Sequence, residues 1–277
     1  MPRERWFQAA AFAFLIFAAL FSLTPIYWLI ATAFKSPEEA MRYPPTLIPT
    51  NPSLQNFIDV FRKGFVTTGL KNSIFLCIVS TFLTLMISSI TAYSFSSFNY
   101  RGKNPIMVFI LFVQMIPLVV IIVPLYLFYA HVGLVNTYLG MIIIYVTRSL
   151  PLSVWLLRGY FMTLPKELED AALIDGCGKL GVFFRIILPL SLPGLMAAAI
   201  LTFLANWNDF ILALTLLVSP EMYTFTVDLF YFIGEYGEVS WGQIAASSVL
   251  GLIPVLIFFA FTFKYLVRGL TLGAVKR

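Results

Sequence analysis

The 277-residue chain is 60% hydrophobic and 17% aromatic but only 11% charged, against roughly 25% charged in an ordinary soluble domain. A water-soluble monomer cannot hide that much apolar surface, so a lipid bilayer is the solvent for most of the chain, which excludes soluble enzymes, secreted disulfide scaffolds and disordered regulators. The formal charge of +5 reads as the positive-inside bias of a membrane protein, with no nucleic-acid partner.

A bilayer core about 30 Å thick takes about 20 apolar residues per helix. Six windows meet that length, at residues 9–33, 72–97, 104–129, 137–157, 187–212 and 243–263. Arg3 and Arg5 before the first, with Ala31-Thr32-Ala33 after it, imitate a signal peptide. The uncharged run from Trp6 to Phe34 is 29 residues, however, whereas a signal needs about 7 to 15, and a retained helix is expected. Between Lys35 and Lys71 stand Pro37, Pro44, Pro45, Pro49 and Pro52, a composition that resists helix and suits an ordered external loop. Runs such as Ile116 to Tyr129 do not alternate in polarity, which excludes a β-barrel. No internal repeat and no matched pair of broken helices is visible, so the expected fold is all-α with six transmembrane helices. Cys77 and Cys177 lie a hundred residues apart, and neither a disulfide nor a metal site is expected.

Lys and Arg in alternate loops set the orientation. A cytoplasmic N-terminus puts 12 on the inside and 5 on the outside, with Arg148 left inside a span. The segment Asp209 to Glu238, outside in this arrangement, holds no basic residue. Both termini are therefore expected inside.

The loop between the fourth and fifth windows carries the most chemistry. Thr163 can cap a helix with Pro165 in its first turn and acidic residues near its N-terminus, and Gly176 can supply the left-handed residue that ends it. A second short helix follows from Lys179. Leu168, Ala171 and Ala172 share one face at i, i+3, i+4 spacing, a small apolar face flanked by charge and suited to a groove on another protein. By residue chemistry alone it is equally a solvated helix on the membrane surface.

The run Asp170-Ala171-Ala172, three residues, Gly176, nine residues, Ile186-x-Leu188-Pro189 resembles the EAA motif of the permease subunits of binding-protein-dependent ABC importers. Asn72-Ser73, Asn206-Trp207-Asn208-Asp209-Phe210, Pro44 to Pro49 with Asn56-Phe57, and the tail Gly269 to Lys276 are similar to the carbohydrate branch typified by the maltose-importer permease MalG. One departure is Asp170 in place of the motif's Glu. The resemblance implies a type I importer permease, noncatalytic, forming half of a channel for a sugar or sugar-like solute. Its EAA loop would be a coupling helix seated on a cytoplasmic ATPase through Glu169, Asp170, Ala171, Ala172, Asp175, Gly176, Ile186, Leu188 and Pro189. Gly273, Ala274, Val275 and Lys276 would also touch the ATPase pair, and the loop Ser219 to Trp241 would meet an external solute-binding protein. A homologous second permease would complete the channel; ATP and magnesium would be bound by two copies of the ATPase and no cofactor by this chain. The division this implies is 1–70 for the N-terminus, first helix and outer loop, 71–264 for a five-helix core including the EAA loop 158–186, and 265–277 for a cytoplasmic tail.

Gly176-Cys177-Gly178-Lys179 lacks the spacing of a phosphate-binding loop, and His131, the single histidine, reads as an interfacial residue. Arg148 near mid-span costs about 2.5 to 3.5 kcal/mol on insertion scales, so it either faces a polar partner or water-filled path, or snorkels to an interface. With Asn206, Trp207, Asn208 and Asp209 it forms a candidate translocation path, although the asparagines equally suit helix-to-helix hydrogen bonding. The alternative function is a self-sufficient carrier or channel, which should carry intramembrane acidic residues; the first five windows hold none before Asp209 at the edge.

Overall fold

The computed structural model describes residues 2–235 and 240–274, and among these all regular structure is helical. The helices are α1 (Pro2–Ala33), α2 (Gln55–Lys63), α3 (Phe65–Ser97), α4 (Lys103–Gln114), α5 (Leu118–His131), α6 (Tyr138–Phe161), α7 (Lys166–Ile174), α8 (Lys179–Val182), α9 (Leu192–Trp207), α10 (Ile211–Leu216), α11 (Phe225–Glu235) and α12 (Trp241–Ala274). Single turns lie at Pro37–Ala40, Leu188–Leu190 and Pro220–Met222, and a π-helical stretch at Phe183–Ile187.

Four segments are long and apolar enough to span alone, namely Ala10–Ala33, Val66–Ser97, Tyr138–Phe161 and Trp241–Tyr265. The windows 104–129 and 187–212, each read as one unbroken span, are bent at a break, although no matched pair of broken helices is visible in the sequence. α4 and α5 meet at 93°, and Lys179–Leu190 meets α9 at 74°; six spans are reached only if each bent pair counts as one. At the first break Pro117 sits extended at φ −61°, ψ 129°, and its ring drives Ile116 away from helical angles. At the second, Ser191 leaves the helical region at φ −88°, ψ 6°, and both its N–H and its Oγ donate to the Ile187 carbonyl at 2.9 and 2.7 Å. Pro189 has no N–H for the Arg185 carbonyl, and the backbone ahead of it widens into the π turn.

The chain divides into two compact units. The first comprises Met1–Thr67 and Asp228–Ile253. The most apolar window of α1 is nowhere buried within the chain, as suits a helix whose solvent is lipid or another subunit. Beyond it the part that carries the prolines is a loop with one helical turn capped by Ser36, whereas the proline-free remainder, expected as loop, is helical at Gln55–Lys63 and from Phe65 onward. Buried Lys35 anchors it: Nζ donates to the Thr46 carbonyl and lies 4.4 Å above the Trp28 ring. Glu39 Oε1 accepts from the Thr50 N–H at 2.9 Å and Thr46 Oγ1 at 2.8 Å. The Thr50 N–H chiefly, against the opposing effect of burial, holds the Glu39 carboxyl below the usual glutamate range, helped by Thr46 and the Lys35 charge.

The second unit, Thr68–Val227 with Pro254–Arg277, is organised on α6 and α9. They run antiparallel, and at one end Gly194 lets them close: a Cβ there would stand 2.5 Å from Tyr160 Cγ. Around that contact Leu157, Phe161, Leu195 and Ala198 pack with Ala92 and Tyr93 of α3. A second cluster, at the other end of α6, gathers Met141, Tyr145, Leu76, Leu212 and Leu216.

Candidate functional site

α7 begins after Pro165, which occupies its N-cap position without a side-chain cap. Thr163 therefore does not cap it; its Oγ1 donates instead to the Tyr160 carbonyl at 2.7 Å. The helix ends as the sequence suggests. Gly176 has φ +83°, its N–H donates to the Leu173 carbonyl at 3.1 Å, and the Cys177 N–H donates to the Ala172 carbonyl at 3.0 Å. This pair of bonds is a Schellman motif, which requires the left-handed residue that glycine supplies most cheaply.

The single small face expected from Leu168, Ala171 and Ala172 divides in two. Ala172 is buried against Leu157, Phe161, Val182 and Phe183 of this chain, whereas Ala171 and Asp170 are exposed. Helical spacing identified the stripe, but the chain's own core covers only its inner edge. Asp170, Ala171, Asp175 and Gly176 are exposed together with Ile174 (86%) and Leu180 (72%), an apolar and acidic outer surface. Ile186 and Leu188 are half-buried at the root of the loop, packed against the same cluster as Ala172, and Pro189 is exposed.

Glu169, which the resemblance places among the ATPase-coupling residues, accepts at Oε1 a 2.7 Å hydrogen bond from Ser97 Oγ at the last residue of α3. Other groups converge on the same helix end. Arg158 Nε donates to the Phe95 carbonyl at 3.3 Å, Lys103 Nζ to the Phe98 carbonyl at 2.9 Å, and Lys179 Nζ lies 4.6 Å from the Phe98 ring centre. The loop helix is thus tied to the end of a membrane helix by side chains that no local sequence signal singles out.

At the other end of α6 and α9 the facing side chains form a polar ladder. Ser153 Oγ meets Thr202 Oγ1 at 3.1 Å, Ser149 Oγ donates to Asn206 Oδ1 at 3.3 Å, and Arg148 Nη1 donates to Asp209 Oδ1 at 2.9 Å. Asp209 Oδ2 accepts from Tyr145 Oη at 3.2 Å and from the Ala213 N–H at 3.0 Å, the latter within the first turn of α10. Of the two readings of Arg148, the structure has the polar partner. Arg148 also lines a cavity of about 410 Å³ beside the break between α4 and α5, together with Gln114, Pro117 and Thr147 in a largely apolar wall. Asn206 makes a helix-to-helix bond, Trp207 is buried in a stack with Phe203 and Phe225, and Asn208 is exposed. Of the five path residues, Arg148 and Asp209 are joined by their side chains, the Asp209 N–H donates to the Asn206 carbonyl at 3.2 Å, and Arg148 alone lines this cavity.

Asn72 and Ser73 hold the segment after α10. Asn72 Nδ2 donates to the Glu221 and Tyr223 carbonyls at 2.9 and 2.8 Å, and Ser73 Oγ accepts from the Phe225 N–H at 2.9 Å. In the tail, Gly273 and Ala274 close α12, while Val275 and Lys276 lie outside the described residues. Among the described residues no group of His, Cys, Asp and Glu is arranged to hold a metal.

Residues 84–272 match the family model described as "Binding-protein-dependent transport system inner membrane component". The chain is 38% identical over 278 residues to the arabinooligosaccharides transport system permease protein AraQ of Halalkalibacterium halodurans, covering 99% of this chain and 98% of that protein. It is 36% identical to the trehalose/maltose transport system permease protein MalG of Thermococcus litoralis, over 94% of each. In fold it is similar to a chain of a bacterial ABC transporter involved in the import of the acidic polysaccharide alginate, with a TM-score of 0.82, 22% identity, and coverage of 96% of this chain and 98% of that one.

Proposed function

The chain belongs to the inner membrane components of binding-protein-dependent transport systems, a multi-pass membrane protein, and from that premise we propose that it forms half of an import passage for a sugar or sugar-like solute. It hydrolyses nothing itself: two copies of a separate ATPase bind ATP and magnesium, a homologous second permease supplies the other half of the passage, and an extracytoplasmic binding protein delivers the solute. Sugar as the cargo follows the relatives named for arabinooligosaccharides and for trehalose and maltose. Both termini lie in the cytoplasm, a reading supported by the Lys and Arg asymmetry, so that the α7 loop faces the ATPase.

The observation that carries this reading is the two-sided loop helix. Its outer surface, with Asp170, Ala171, Ile174 and Asp175, is free to seat in a partner, and Ala172 and Glu169 fix its inner side to the core and to Ser97. A push on the outer surface is therefore delivered to the ends of α3 and α6, because close-packed interiors transmit displacement and do not absorb it. Gly273 to Lys276 make a further contact to the ATPase pair. Arg148 and Asp209 lie on the solute path.

The test is reconstitution. The chain alone in liposomes should neither hydrolyse ATP nor accumulate solute, and with its partner subunits and binding protein it should do so only when ATP is present. Uptake by the isolated chain driven by a proton or sodium gradient would contradict the reading.

A further inference from the structure

Arg148 lies ten residues into α6, about 15 Å along the helix at 1.5 Å per residue, where a full charge needs a partner or water. Its two sides differ. Toward Asp209 the pair is fixed, because that carboxylate is 3% exposed and its second oxygen is taken by Tyr145 Oη and the Ala213 N–H. Away from Asp209, the Arg148 side chain is 40% exposed and borders the cavity at the α4–α5 break. Nη1 donates to Asp209, and no other bond of the guanidinium is formed among the described residues. The guanidinium, with five N–H donors in all, thus keeps donors that Asp209 does not take, on a residue that borders the cavity, while the facing carboxylate cancels its charge.

We propose that this cavity is a solute subsite for an uncharged, polyhydroxylated molecule, in which Arg148 is a specificity-determining residue that donates to hydroxyl oxygens and Asp209 removes the attraction for acidic solutes. A lone guanidinium in a low-dielectric cleft would concentrate anions. A paired one keeps its hydrogen-bond donors but loses that field. In an otherwise apolar wall, Gln114 adds a neutral donor and acceptor, and Thr147, whose hydroxyl donates to the Ile143 carbonyl at 2.8 Å, adds an acceptor. The proposal rests on the reading of the chain as a permease and adds the charge class of the cargo.

The test reads the field in the cavity directly. In the assembled importer carrying Cys77→Ala and Cys177→Ala, Thr147→Cys is reacted with an anionic and with a cationic methanethiosulfonate of similar size. The ratio of the two rates is compared with that for a free thiol. The expected ratio lies within about tenfold of the free thiol's, Asp209→Asn should raise it about tenfold or more toward the anion, and Arg148→Gln should lower it by a similar factor. The double variant Arg148→Gln/Asp209→Asn, neutral again, should return it to the starting value, which a merely structural role of either residue would not produce. A starting ratio already biased more than tenfold toward either reagent, no reaction at Thr147→Cys, or single variants that leave the ratio unchanged would each overturn the proposal. Should Asp209→Asn fail to assemble, Arg148→Gln and Arg148→Lys decide alone, the first shifting the ratio and the second preserving it. These rates do not depend on ATP-driven uptake. Failure here leaves the permease reading standing, and failure of coupled uptake leaves the cavity chemistry standing.

Discussion

The two ends of the α6–α9 pair are built on opposite principles. Where Gly194 meets Tyr160, the contact is apolar and close, and it continues through Ala172 and Phe183 into the α7 loop. At the other end the same two helices face each other with Ser153–Thr202, Ser149–Asn206 and Arg148–Asp209. An apolar jigsaw resists sliding because any displacement opens a void or a clash. The Ser153–Thr202 and Ser149–Asn206 bonds join small neutral groups and exchange partners with water at little net cost, such bonds within a membrane being worth only about 0.6 kcal/mol each. The Arg148–Asp209 ion pair beside them stays fixed. One end is suited to carry force and the other to yield, which under the proposed function lets a single helix pair transmit at one end and border the passage at the other.

The comparison breaks most easily at the apolar end. Ala172→Trp overpacks the core by about 1 to 3 kcal/mol or more and should lower the amount of inserted, monodisperse protein in size-exclusion profiles, whereas Ala171→Trp should leave that amount unchanged and abolish coupled uptake. Equal yields for the two would mean that the loop helix is not seated on the core as described. Gly176→Val, at φ +83°, should cost about 1 to 3 kcal/mol and Gly176→Asn clearly less, measured as the thermal midpoint of the purified protein.

Smaller effects sharpen the contrast. Removing the Ser97–Glu169 bond by Ser97→Ala should cost about 1 kcal/mol and reduce solute moved per ATP hydrolysed, with Ser97→Thr retaining both. At the polar end, Thr202→Val should change the thermal midpoint by about a quarter to a half as much as Ala172→Trp does, if it changes it at all. The Glu39 contact in the first unit is expected to be the weakest. Its carboxyl is held below the usual range by the Thr50 N–H, so its contribution is complete above the ordinary glutamate pKa and is lost as pH falls through the lower folded value. Hydrogen-exchange protection of the Thr50 amide should fall only in that acidic range, and Glu39→Gln should remove the pH dependence.

Six apolar segments, the proline-rich loop and the turn at Gly176 are legible because each is written in neighbouring residues: run length, helix breakers, a glycine after an amphipathic stretch. The two bends were not. Pro25, Pro124, Pro151 and Pro254 sit inside unbroken helices, whereas Pro117 is an extended N-cap, so proline by itself does not separate a kinked span from a broken one. The inward turn of Ala172 was also hidden, since periodicity defines a stripe but not what covers it. Asp209 as the partner of Arg148 is 61 residues away and has no spacing signal. Trp207 and Asn208, adjacent in a motif, separate into a buried stack and an exposed end because Trp207 is the last residue of α9 and Asn208 is its C-cap, at φ −85°, ψ 2°.

The central claim is that the outer surface of α7 meets a separate ATPase while its inner surface belongs to this chain. Single cysteines at Ala171 and at Ala172, in the assembled importer lacking Cys77 and Cys177, can be treated with a short bifunctional thiol reagent against a panel of cysteines on the ATPase and read as a covalent permease–ATPase band. The account predicts the band for Ala171→Cys and none for Ala172→Cys. A band for Ala172→Cys, or none for either position in a complex that co-purifies intact, would contradict it.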